Sequence, residues 1–188
     1  EHLAEAKMVY TPHAPGEVRA TTRHDLLWAD KVVALDPWDG QPSREHRLIA
    51  LLRTRFPGLQ VRDLTPILDE MRSIKSPREV EVLRKAAHLA DAAMQAAMDH
   101  VRPGVTEFDL AAEANYAMFK GGAEHPAFAI ALAAGARSGF KHMAPTGYVV
   151  RPGDVVYIDV GARYMGYYSD CSRQRTCGDP TAEQRRFM

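Results

Sequence analysis

Two carboxylates in the last third of the chain are the residues best placed to do chemistry. Asp159 lies in Val155-Val156-Tyr157-Ile158-Asp159-Val160, a run of strand formers. Asp170 lies on Tyr167 to Arg173, the stretch expected to return as its partner strand. A hairpin turning between Tyr164 and Met165 sets Asp159 directly opposite Asp170 on one face, with Cβ atoms roughly 4.5–5.5 Å apart. Like charges so close repel, and an apolar sheet adds a desolvation cost. A bound cation, a shared proton or a neighbouring arginine would each relieve it. Carboxylate oxygens suit Mn, Mg or Ca and, together with imidazole, Zn, Fe or Co. Tyr-Met is poor chemistry for a two-residue turn, and Gly166 could instead mark a bulge. A slip of one residue would send one Asp to the other face and leave two surface carboxylates near a turn.

The elements that must position this pair begin well upstream. Ser76, Pro77 and Glu79 form a helix start, with Ser76 as N-cap and Glu79 closing a capping box. Leu83, Ala87, Ala90, Met94, Ala97 and Val101 then recur at steps of three and four, and Pro103-Gly104 stops the helix. A second helix is expected from Thr106 to about Lys120, ended by Gly121-Gly122. The pattern then changes to short apolar runs separated by turn residues, with strands expected at Ala127 to Ala134 and Val155 to Val160. Two helices followed by antiparallel strands make this part α+β. Before residue 69, Thr11 to Gly16 reads as a loop, and Lys31 to Leu35 and Leu59 to Leu64 read as strands. Ser43 to Phe56 reads as a helix between them, the tail of a small α/β layer. Thr181 and Gln184 form a further capping box, and the chain stops about two turns later, so it reads as a molecule cut short.

Composition excludes several function classes. With 46% hydrophobic and 26% charged residues, the chain is neither collagen-like nor disordered. Lys plus Arg and Asp plus Glu number 24 each, so the basic excess expected of a nucleic-acid binder is missing. The longest nearly apolar stretch, Ala127 to Ala136, is too short to span a bilayer. Two cysteines make no disulfide framework, which points to a reducing, cytoplasmic setting.

The segments Gly153-Asp154-Val155-Val156-Tyr157-Ile158-Asp159-Val160-Gly161 and Gly166-Tyr167-Tyr168-Ser169-Asp170-Cys171-Ser172-Arg173 resemble the pita-bread metallopeptidases, which include aminopeptidase P, prolidase and methionine aminopeptidase, with creatinase as a related non-peptidase. Asp69 to Glu79 resembles the junction into the catalytic domain of the aminopeptidase P and prolidase branch. The resemblance implies that residues 69–188 are the N-terminal half of a pita-bread catalytic domain. It implies that 1–68 end a small α/β N-terminal domain. It further implies a centre of two divalent metal ions, manganese foremost, with zinc, cobalt or iron as other occupants. Asp159 would bind one ion and Asp170 would bridge both. His142 would approach substrate or the tetrahedral intermediate from the pocket wall without ligating metal. The remaining ligands of that pattern, one His and two Glu, lie beyond the last residue of this sequence, so the 188-residue chain alone is expected to be inactive. The implied reaction is hydrolysis by a metal-activated water of a peptide with proline second, as in an Xaa-Pro aminopeptidase or dipeptidase. A homo-oligomer is implied by analogy, with no nucleic-acid or membrane partner. The alternatives are a non-catalytic pita-bread module that binds a peptide or partner, or a creatinase-like amidinohydrolase.

The sequence departs from the family pattern at Arg137 and Lys141, which add positive charge shortly before His142, and at Ser172, where Thr is usual. Arg173 reads either as a counter-charge to the carboxylates or as a solvated strand end. Cys171 should face away from Asp170, because strand side chains alternate. His125, beside Pro126, reads as structural or exposed.

Overall fold

The computed structural model describes residues 2–13, 31–38 and 40–187. They form two compact units, 1–74 and 75–188, taken here separately.

In the first unit, α1 (His2–Glu5) precedes β1 (Met8–Thr11), which pairs in parallel with β2 (Gln60–Asp63). Helix α2 (Arg44–Arg55) makes the crossover and buries Ile49 and Leu52. Ser43 caps it by accepting the His46 amide. Helix α3 (Thr65–Ser73) follows β2. A strand–helix–strand unit is therefore present, but its first strand is Met8–Thr11. Lys31 to Ala34 is helical and exposed, contrary to the strand expected there. A run of four apolar residues, Val32 to Leu35, suits either structure, and only a partner decides between them. The expected loop at Thr11 to Gly16 is described only as far as residue 13; Thr11 ends β1, and residues 14–16 lie outside the described residues.

The second unit carries the carboxylates. Helix α4 (Pro77–His100) starts at a complete Ser76–Glu79 capping box, and α5 (Glu107–Lys120) at a complete Thr106–Asp109 box. The two helices pack on each other through small residues, with Ala86, Ala90, Ala93 and Ala97 on α4 and Ala111 and Ala114 on α5 all buried. The inward stripe of α4 differs from the one its spacing suggested: Ala87 is exposed, while Ala86, Leu89 and Ala93 are buried. A helix so rich in alanine has a weakly marked apolar face, and the neighbouring elements settle which side is inward.

The strands are β3 (His125–Pro126), β4 (Ala131–Ala134), β5 (Val155–Val160), β6 (Ala162–Tyr164), β7 (Tyr167–Tyr168) and β8 (Cys171–Thr176), followed by α6 (Ala182–Phe187). They form two antiparallel sheets of three strands, ordered β3-β6-β7 and β4-β5-β8. The long strand expected at Ala127 to Ala134 is confined to Ala131–Ala134, and the single return strand expected at Tyr167 to Arg173 is split between the two sheets. The α+β class is as expected.

Strand β5 lies at the centre of its sheet, with alternate side chains turned to the core. Val156, Ile158 and Val160 are fully buried in the core that α4 and α5 cover. Each such side chain contributes about 1.5–3 kcal/mol on burial. These three positions hold the strand in register, and Tyr157 and Asp159 are thereby fixed on the other face.

Candidate metal centre

The two aspartates stand on either side of a strand break. Asp159 is opposite Ala131 of β4 and Ser172 of β8, and Tyr157 is opposite Ala133 and Gln174. Asp170 precedes β8 directly. The turn of the inner hairpin falls at Met165-Gly166, with φ of 47° and 80°, the positive pair that a type I′ turn requires. Tyr164 therefore pairs with Tyr167, and continuing this register into β5 and β8 brings Asp159 opposite Ser172. The expected direct opposition of Asp159 and Asp170 is incorrect by two residues. The turn chemistry is X-Gly, centred one residue later than expected, and no bulge forms at Gly166. Between the two sheets, Gly161 lies so close to the returning chain that a Cβ there would be 2.1 Å from the Ser169 carbonyl oxygen. Only glycine permits that approach.

A shift of two residues preserves the face, and the carboxylates still converge. Asp159 is 8% exposed. Its Oδ2 accepts a hydrogen bond of 2.8 Å from the Tyr157 hydroxyl, and its Oδ1 is buried with no hydrogen-bond partner. Asp170 is exposed, yet its carboxyl is raised above the ordinary aspartate range. Loss of surrounding water is the main cause, followed by the charge of Asp159 and a hydrogen bond with its carboxyl, with His142 pulling the other way. Asp159 and His142 thus both lie within electrostatic reach of Asp170. The Tyr157 phenol is also raised, first by burial and then by its bond to Asp159 and the charges of both aspartates, with Ser172 opposing, so it stays a protonated donor.

His142 is exposed and has φ of 58°, a left-handed conformation uncommon outside glycine. The chain around it is held by a residue that the sequence reading did not single out. Glu107, in the first turn of α5, is fully buried. Its carboxylate accepts the Ala134 amide (2.8 Å), the Thr146 amide (2.7 Å), the Thr146 hydroxyl (2.7 Å) and the Arg137 guanidinium. Ala134 and Thr146 flank the loop that carries His142, and Met143 is tied back to β4 through its carbonyl and the Leu132 amide. Burial alone would raise the Glu107 carboxyl, but the bonds from Thr146, Ala134 and Arg137 outweigh it and hold the group below the ordinary glutamate range. The available signal was an acidic residue that Asp109, already occupied with the capping box, left unexplained.

Arg137 is therefore committed to Glu107, Thr146 and the Ala144 carbonyl, and its charge is spent inside the protein. Arg173 bonds only the adjacent Ser172 carbonyl among the contacts described and is exposed, the solvated strand end of the two readings. Cys171 packs against the core, opposite to Asp170 as alternation requires. His125 is exposed, with Nδ1 against the Pro126 carbonyl and Nε2 against Arg163.

Among the described residues no cluster of three or more His, Cys, Asp or Glu could hold a metal ion. The pair nonetheless fits a divalent cation. A buried carboxylate oxygen without a donor, next to a second carboxylate, is what an oxygen-binding cation would complete. A cavity of about 530 Å³ between the end of α4 and the start of α5 is lined by His100, Arg102, Asp109 and Glu113, and none of the three candidate residues borders it.

Comparison with known proteins identifies the fold and the family. The Xaa-Pro dipeptidase of Pyrococcus horikoshii is 38% identical over 119 residues, which are 63% of this chain and 34% of that protein. The Xaa-Pro aminopeptidase of Escherichia coli is 35% identical over 111 residues, 59% of this chain and 25% of its own length. The chain thus spans about a third or less of these relatives. The solved prolidase of Pyrococcus furiosus superposes with a TM-score of 0.68 at 32% identity, covering 75% of this chain and 42% of that one. Escherichia coli aminopeptidase P in complex with substrate superposes at 0.71 with 28% identity, over 97% of this chain and 38% of that one. The fold is that of part of a pita-bread enzyme. Residues 81–188, more than half of the sequence and the stretch that holds both aspartates and His142, match metallopeptidase family M24, and the chain belongs to that family.

Proposed function

We propose that the protein containing this chain is an Xaa-Pro peptidase, cleaving peptides with proline in second position at a centre of two divalent ions, manganese foremost. The observation that carries this reading is the unpartnered, buried Oδ1 of Asp159 beside Asp170. The names of the relatives, Xaa-Pro dipeptidase and Xaa-Pro aminopeptidase, support the substrate class. In this reading Asp159 and Asp170 are metal ligands, and His142, free in solvent and within electrostatic reach of Asp170, contacts the substrate. The metals supply a water acidic enough to act as a nucleophile near neutral pH. The chain's own residues do the positioning. Asp159, fixed on the outward face of β5, sets the depth of the site. Asp170 closes it from the β8 side. His142 offers a hydrogen bond to the substrate carbonyl as charge develops there. The loop that holds it is anchored by Glu107. Residues 1–68 are the end of an N-terminal α/β domain, the setting is a reducing cytoplasm, and the intact protein self-associates.

The test is Asp159→Asn and Asp170→Asn in the intact protein, with metal content by elemental analysis and cleavage of an Xaa-Pro peptide as readouts. Each variant should lose metal and lose activity by at least about 100-fold. Full activity with normal metal content in either variant would show that these carboxylates are not the ligands.

A further inference from the structure

Tyr157 stands two residues before Asp159 on β5, so both project from the same face of the sheet. Its hydroxyl donates to Asp159 Oδ2 at 2.8 Å, while Oδ1 is left without a donor. The Ser172 hydroxyl, across the ladder from Asp159, approaches the same phenol oxygen. Ala133, a small residue, and Gln174, which is exposed, lie opposite Tyr157 on the neighbouring strands.

The last torsion of an aspartate is broad and roughly two-fold, so a lone buried carboxylate can rotate and exchange its oxygens. One directional bond to a single oxygen removes that freedom. We propose that Tyr157 is a positioning residue for the metal centre: its phenol fixes the plane of the Asp159 carboxylate and presents Oδ1, the oxygen with no partner, to a divalent cation shared with Asp170. This rests on the metal-centre reading above and adds to it a residue outside the ligand set. Partners of this kind, which orient a ligand without touching the ion, typically contribute 10–100-fold to metal affinity.

The experiment is Tyr157→Phe in the intact protein, which removes one oxygen and keeps the ring. Manganese affinity is measured by calorimetry and by competition with a chelator, on samples whose metal-free melting temperatures have been compared. The expected result is a loss of manganese affinity of about 10–100-fold. A second readout needs no variant to fold: manganese added to the metal-free wild-type protein should perturb its tyrosine absorption, because the phenol bonds a carboxylate whose charge the ion draws off. Where Tyr157→Phe folds, that perturbation should vanish. A wild-type protein that binds manganese while Tyr157→Phe binds it equally well, or shows no tyrosine perturbation itself, overturns the role of Tyr157 and leaves the metal centre standing. A wild-type protein that holds no divalent metal overturns both.

Discussion

Glu107 shows how one side chain can hold a site it does not touch. Four donors converge on a carboxylate with no solvent exposure, and three of them belong to Ala134 and Thr146, which flank the loop that carries His142. Removing that carboxylate leaves the Ala134 and Thr146 donors without their acceptor. Glu107→Ala should therefore cost on the order of 3 kcal/mol in urea unfolding. The pH dependence has a definite sign. The folded carboxyl titrates below its unfolded value, so its contribution is complete above the ordinary glutamate value of about 4.3 and is lost as pH falls through the lower folded value. Glu107→Gln should accordingly flatten the acid limb of the stability profile; an unchanged acid limb would mean that the group carries no such linkage. Nothing in local spacing marks Glu107 as buried, since a glutamate in the first turn of a helix ordinarily faces water and the helix dipole. Its partners lie 27 to 39 residues away, at a separation that sequence periodicity does not reach.

Among elements, the β6–β7 hairpin explains why an incorrect pairing still left Asp159 and Asp170 on one face. Moving the turn centre from Tyr164-Met165 to Met165-Gly166 shifts every cross-strand partner by two, and strand side chains repeat every two residues. Asp159 and Asp170 keep their common face and become diagonal neighbours. Met165 carries the strain of this arrangement, because its positive φ is costly for a residue with a long side chain, on the order of 1 kcal/mol. Met165→Asn, which suits the first central position of such a turn, should raise stability by about 0.5–1 kcal/mol in thermal unfolding without altering the fold. A loss of stability would show that the exposed Met165 side chain has a packing role that the structure does not indicate. The capping boxes at Ser76 and Thr181 were both legible, because each is a contact between residues three apart. The strand assigned to Lys31–Leu35 was not, because apolar content alone does not distinguish a helical turn from a strand.

On the scale of the whole chain, α4 and α5 cover one face of the β4-β5-β8 sheet and leave the other to Tyr157 and Asp159. No helix of the described residues is long and apolar enough to cross a membrane. Among the described residues the proposed metal-binding set is two carboxylates, so the 188-residue chain alone should bind manganese weakly and cleave no peptide. Calorimetry showing tight uptake of two ions by this chain alone would contradict that. Fold class and the common face of the two aspartates could be read in the linear chain, because strand alternation and capping boxes are local and survive small errors of register, and the family could be read from the motif strings around Asp159 and Asp170. The pairing of Asp159 with Ser172, the bond from Tyr157, the burial of Glu107 and the neutralisation of Arg137 were decided only by the folded chain. Each of these depends on which distant groups share a desolvated space, and that is settled when the helices close over one side of the sheet.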